Sequence, residues 1–149
     1  MRIESHWHKR YLELAEHISK WSKDPSKQIG AVVIGSAGQV LAQGYKGFPR
    51  GIADQESDYA NREIKYTKIV HAEMNAIYNA SRTGVSLEGS TMYVYGLPVC
   101  NECAKGIIQV GIKHVVMKKT YDNSKSRWKD SCTIAEQLFE EAGVTITYV

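Results

Sequence analysis

Three residues of this chain are zinc-ligand types at spacings that would let them meet. Cys100 and Cys103 form a C-x-x-C, and His71 opens a His-Ala-Glu triplet. Both stretches read as helix starts, so Cys100 and Cys103 are i, i+3 neighbours whose sulfurs face the same way. The positive helix end and its free N–H groups favour the thiolate forms. One His and two Cys leave a tetrahedral metal with an open fourth position, the catalytic pattern, whereas a closed structural site wants a fourth protein ligand. Glu73 follows His71 by two residues, close enough to reach a water at that position without binding the metal. Zinc brings the pKa of such a water to about 7, and a carboxylate beside it can take the proton and hand it to a leaving group. This is equipment for hydrolytic attack on an electrophilic carbon. A purely structural zinc, or a redox C-x-x-C, would leave Glu73 without a task.

Composition limits what can surround these residues. The chain has 149 residues, 43% hydrophobic and 23% charged. That predicts one domain, residues 1–149, able to bury about two-thirds of its unfolded surface without a metal to hold it together. The apolar fraction excludes a disordered chain, and no stretch approaches the length of a membrane span. The first ten residues lack the apolar core of a secretion signal, which predicts a soluble cytoplasmic protein. Three cysteines in that setting point to metal or redox chemistry before a disulfide. Cys132 then reads as a buried apolar residue. The balance of 19 basic and 16 acidic residues gives +3, too weak to argue for duplex nucleic acid. The crowding of Lys113, Lys118, Lys119, Lys125, Arg127 and Lys129 reads as a solvated face.

The elements that must position the ligands follow from pattern. Trp7, Tyr11, Leu14, Ile18 and Trp21 recur at helical spacing and predict a first helix with that stripe in the core. Lys23-Asp24-Pro25 ends it. Residues 29–34 and 39–45 predict a hairpin turning at Gly35-Ser36-Ala37-Gly38. From Lys46 to about Asp58 the chain has Gly47, Pro49, Gly51 and no periodicity, a loop long enough to be functional. Helices over 70–82, 99–110 and 131–142, closed by Gly84, Gly111 and Gly143, alternate with strands over 91–95, 113–117 and 144–149. The order predicts an α/β fold, a three-layer α/β/α sandwich around a mixed sheet of about five strands. The hairpin should be antiparallel and the later strands joined by crossovers. Starts of successive helices then lie at one sheet edge, where His71, Cys100 and Cys103 can converge. His6, His8, His17 and His114 read as ordinary core or surface histidines.

These residues resemble those of the zinc-dependent nucleobase deaminases, whose signature is H-x-E…P-C-x-x-C. It stands here as His71-Ala72-Glu73 and Pro98-Val99-Cys100-Asn101-Glu102-Cys103, with Val99 set between the proline and the first cysteine. Four longer runs are similar to the deoxycytidylate (dCMP) deaminases: residues 22–31, 44–51, 71–77 and 100–109. The likeness extends from about residue 7 to the C-terminus. It implies a cytidine deaminase-like fold and hydrolysis of dCMP to dUMP and ammonia, supplying dUMP for thymidylate synthesis. It implies Zn2+ on His71, Cys100 and Cys103, with Glu73 as proton carrier. Substrate contacts are implied for Ser26, Lys27, the Ala72 backbone and Tyr121, since telling dCMP from deoxycytidine needs charge-assisted bonds to phosphate. It further implies a homo-oligomer, a hexamer, activated by dCTP and inhibited by dTTP with Mg2+. The residues carried over for those effectors are Lys46, Gly47, Phe48, Arg50, Gly51 and Asp54. Lys46 stands where the family usually has Asn, and Asp54-Gln55 where an Asp-Asp pair is common.

Two further readings stay open at this stage. A zinc deaminase could act on deoxycytidine, dCTP or a nucleic-acid base, although only Arg127 and Trp128 offer the basic, stacking surface the last would need. A non-catalytic zinc module could bind nucleotides through the Gly44–Gly51 loop, and Glu73 counts against it.

Overall fold

In the computed structural model, which describes residues 5–118 and 129–149, the β-branched run at Gly30–Ile34 forms a fully buried strand, β1. It pairs antiparallel with β2 (Val40–Tyr45) on one side and with β3 (Thr91–Tyr95) on the other. Strands β4 (His114–Met117) and β5 (Thr145–Tyr148) then add in parallel, giving the order β2-β1-β3-β4-β5. The sheet is therefore mixed and five-stranded, as the sequence predicts.

Side chains alternate across such a sheet, and the two faces have different covers. Val32, Ile34, Tyr93 and Val116 meet α1 (Ser5–Ser19) through Leu12, Ala15 and Ile18. Ala31, Val33, Met92, Val94, Val115 and Met117 face α4 (Ala72–Thr83), α5 (Asn101–Gln109) and α6 (Lys129–Ala142). The result is the α/β/α sandwich.

Two glycines let helices touch the hairpin backbone to backbone. A β-carbon at Gly30 would strike the backbone of Ala15 and Ser19 on α1, and one at Gly44 the backbone of Ala72, Asn75 and Ala76 on α4. Gly44→Ala should therefore push α4 off β2. We expect a loss of roughly 1–3 kcal/mol, the usual cost of overpacking, with weaker zinc retention because α4 carries His71 and Glu73. Thermal denaturation together with metal content checks this.

Three expectations need correcting. The aromatic stripe of the first helix is only partly core: Trp7 and Trp21 are 40% and 47% exposed. The buried residues of this helix are His8, Leu12, Ala15, Ile18 and Ser19, so the face turned to the sheet is rotated by about one residue from the predicted stripe. Cys132 is half-buried rather than core. The segment after residue 55 is not all loop: α2 (Glu56–Ala60) and α3 (Arg62–Lys68) precede α4. Asn61 caps α3 by accepting from the Ile64 N–H.

Candidate active site

His71 and Cys100 are the N-cap residues of α4 and α5, and Cys103 lies one turn into α5. Both caps have extended backbone and neither side chain caps its own helix, so the imidazole and the thiol are free to face each other. His71 Nδ1 lies 3.5 Å from Cys100 Sγ and 3.3 Å from Cys103 Sγ. All three ligand atoms lie within 4.8 Å of one another. A tetrahedral zinc with bonds of about 2.0–2.3 Å needs ligands roughly 3.5–3.8 Å apart, so this donor set fits that ion. The Cys100 thiol is held down at about 4, by its hydrogen bond with Cys103 and, against burial, by that with His71. His71 is raised, chiefly by the Cys100 hydrogen bond. Val99 fills the core beneath, its N–H donating to Met117 Sδ at 3.4 Å.

Glu73 sits in the first turn of α4, only 3% exposed, and its Oε1 has no hydrogen-bond partner. An orphaned carboxylate oxygen is costly in a packed interior, and burial pushes this group up to about 7 against the opposing pull of His71. The unpartnered Oε1 is left available to a group that enters the site.

The model of the cytidine and deoxycytidylate deaminase zinc-binding region matches residues 5–119. The chain belongs to that deaminase family. An uncharacterised deaminase from the luxG 3′ region of Aliivibrio fischeri is 40% identical over 145 residues, covering 97% of this chain and 95% of that one. The human deoxycytidylate deaminase is 39% identical over 145 residues, covering 93% of this chain and 77% of that one. Among solved structures, the dCMP deaminase of cyanophage S-TIM5, in complex with dCMP and dUMP, superposes with TM-score 0.78 at 24% identity. It covers 99% of this chain and 100% of that one, and shows the shared fold.

The deaminase places its other sequence-predicted residues as follows. Ala72 is buried at the start of α4, its backbone against Gly44. Ser26 and Lys27 line a cavity of about 760 Å³ with Lys20, Lys23 and Lys118. The metal-ligand residues line a different one of about 480 Å³, with Tyr66, Met74, Tyr78 and Ser131. Gly47, Phe48 and Arg50 border a third, of about 490 Å³, shared with Tyr78 and Arg82. Phe48 stacks on Tyr59 at 4.0 Å, and Arg50 donates to Asn79 at 2.6 Å. Gly51 turns the chain at a φ of 84°. Asp54 accepts from Tyr59 and pairs with Lys23. Lys46 points away from its loop, into an ion pair with Asp24. Tyr121 lies outside the described residues, as do Arg127 and Trp128.

Sequence reasoning missed a buried ion cluster that ties the Asp24–Lys27 segment to its neighbours. Asp24 receives the ammonium groups of Lys46 at 2.9 Å and Lys65 at 3.3 Å. Asp24 sits inside a run already matched to the family, so its place there was the available signal. Lys65 had none.

Removing one ligand should empty the metal site. For Cys103→Ala we expect zinc to fall from one per chain to near zero, with turnover lost in parallel, as elemental analysis and an ammonia assay would show.

Proposed function

We propose that this deaminase hydrolyses dCMP to dUMP and ammonia. The observation that carries the reading is the buried Glu73 carboxyl, its Oε1 without a partner, in the helix turn that carries His71 and beside the α5 turn that carries Cys100 and Cys103. The human relative's name supports the substrate. Zinc on His71, Cys100 and Cys103 would supply the Lewis acid that makes water reactive near neutral pH. Glu73 takes a proton from the attacking water and gives it to the ring nitrogen of cytosine. The C4–O bond forms in that first transfer; Glu73 then carries the proton of the new C4 hydroxyl to the amine as the C4–N bond breaks. Water and dCMP are thus converted in balance to dUMP and ammonia. The Ala72 backbone, at a helix start, helps hold the base. Ser26, Lys27 and Tyr121 serve the sugar-phosphate end, where lysine offers charge-assisted bonds to phosphate.

The finer parts of the reading have their own support. The 490 Å³ cavity beside Gly47 and Phe48 holds Arg50 and Arg82, and two guanidinium groups suit a triphosphate. That supports activation by dCTP and inhibition by dTTP with Mg2+, through the Lys46–Asp54 loop. Exposed Tyr45, Tyr66 and Tyr78 support a homo-oligomer, and the family resemblance is the support for a hexamer. Among the described residues no helix is long and apolar enough to cross a membrane. Free cysteine ligands suit the reducing cytoplasm, where dUMP would feed thymidylate synthesis.

The test is ammonia release by zinc-loaded protein from equal concentrations of dCMP, deoxycytidine and dCTP, with and without dCTP or dTTP and Mg2+. Turnover confined to dCMP, raised by dCTP and lowered by dTTP, is the expected result. Equal turnover of deoxycytidine would refute the phosphate contacts. A flat rate across effectors would refute the regulation, and silence on all three substrates the reaction itself.

A further inference from the structure

We infer that Lys46 is a positioning residue for the substrate segment Asp24–Lys27, tethering it to the start of the loop after β2. The family resemblance places Lys46 among the residues that would meet an effector nucleotide. The structure turns this side chain inward. Its Nζ lies 2.9 Å from Asp24 Oδ2, with the two side chains 12% and 0% exposed, and 3.5 Å from the Lys27 carbonyl. The other Asp24 oxygen accepts from both the backbone N–H and the hydroxyl of Ser26, at 2.9 and 2.8 Å. Where Lys46 holds Asp24, Ser26 must follow. Gln28 in turn packs its carbonyl against Gly96, where no β-carbon would fit, and two residues on from Gly96 the chain enters Pro98-Val99-Cys100. The tether therefore fixes the substrate segment relative to the strand end that leads to the metal ligands.

The charge balance makes the idea testable without unfolding the protein. Lys65 also reaches Asp24, at 3.3 Å, and donates to Ser26 Oγ at 2.9 Å. Two ammonium groups thus share one carboxylate. Removing the Lys46 side chain leaves a neutral Asp24–Lys65 pair, so the fold keeps its buried charge compensated and loses the contacts of the Lys46 ammonium with Asp24 and the Lys27 carbonyl.

The inference rests on the dCMP reading for the role of the segment, but the tether itself can be read without substrate. In zinc-loaded Lys46→Met, hydrogen exchange of the peptide spanning residues 24–29 should speed up about tenfold. A peptide from α5 should be unchanged. With dCMP and no effector, KM should rise about tenfold while kcat stays within about threefold, the pattern of a lost binding contact. Lys46→Arg should restore both values. Unchanged exchange over 24–29 overturns the tether, whatever the enzyme does with dCMP. Faster exchange with an unchanged KM, or with loss of dCTP response alone, overturns the positioning role. A wild-type enzyme inert toward dCMP would refute the function proposed above, and the exchange comparison would still decide the tether.

Discussion

Glu73→Gln should cut deamination of dCMP by between about a hundred- and ten-thousand-fold, the range that a positioned proton carrier supplies, while the protein stays folded and keeps its zinc. Glutamine matches the carboxylate in shape and fills the same buried volume, but it cannot take a proton from water. It also removes a desolvated acid whose Oε1 has no partner, so the thermal midpoint should hold or rise. That combination separates a catalytic carboxylate from a structural one: loss of a structural group would lower the midpoint and spare the rate. Turnover is read by ammonia release, metal by elemental analysis, and stability by calorimetry. A variant that retains more than about a tenth of the wild-type rate would show that another group carries the proton.

Asp24→Asn should be the most damaging single change to stability outside the metal ligands. The carboxylate is fully buried and faces the ammonium groups of Lys46 and Lys65. Neutralising it strands two buried cations, and breaking a buried pair in this way costs about 3–5 kcal/mol. At about 2–4 °C per kcal/mol for a chain of this size, the midpoint should fall by roughly 6 to 20 °C. The effect has a pH signature. Burial alone would raise the Asp24 pKa, but the hydrogen bonds from Lys46 and Ser26 win and hold it at about 2, below the ordinary 3.8. A depressed acid contributes stability that is fully present above the unfolded value and drains away as pH falls through the folded one. The gap between wild type and Asp24→Asn should thus be widest above about pH 4 and close toward pH 2. Adding Lys46→Met to Asp24→Asn should recover part of the loss, since it removes one of the stranded charges. Additive losses in the double variant would mean that the cluster is not electrostatically coupled.

What could be read from the sequence depended on how local each cause was. Strand β3 and the hairpin are fixed by β-branched runs and glycine turns a few residues long, and they fall where their patterns put them. The ligand set was legible for the same reason: His71 and Glu73 share one helix turn, Cys100 and Cys103 another, and alternation of strand and helix brings the two turns together. Helices α2 and α3 escaped because they are short and polar on almost every side. Tyr59 and Lys65 alone are buried in them, so no apolar period announces them. Lys65 meets Asp24 across 41 positions, and no spacing rule spans that distance. The first helix shows the opposite failure. Its period is correct, yet Trp7 and Trp21 stay partly in solvent because the buried face runs through His8, Leu12, Ala15 and Ser19, about one residue on from the stripe, and Trp21 lies beyond the helix end at Ser19.

The two glycine contacts lie on adjacent strands and on opposite faces: Gly30 pairs with Tyr45 and Gly44 with Ala31. At this point the sandwich consists of peptide backbone all the way through, from α1 across the hairpin to α4. Side chains elsewhere in the core act as compliant filler, able to change rotamer and absorb a lost or added methyl group. Here there is nothing to compress. The depth at which α4 presents His71 and Glu73 is consequently set by atomic radii that every residue shares. Variation in the rest of the hydrophobic core should therefore alter the melting temperature of this enzyme long before it alters the geometry of its chemistry.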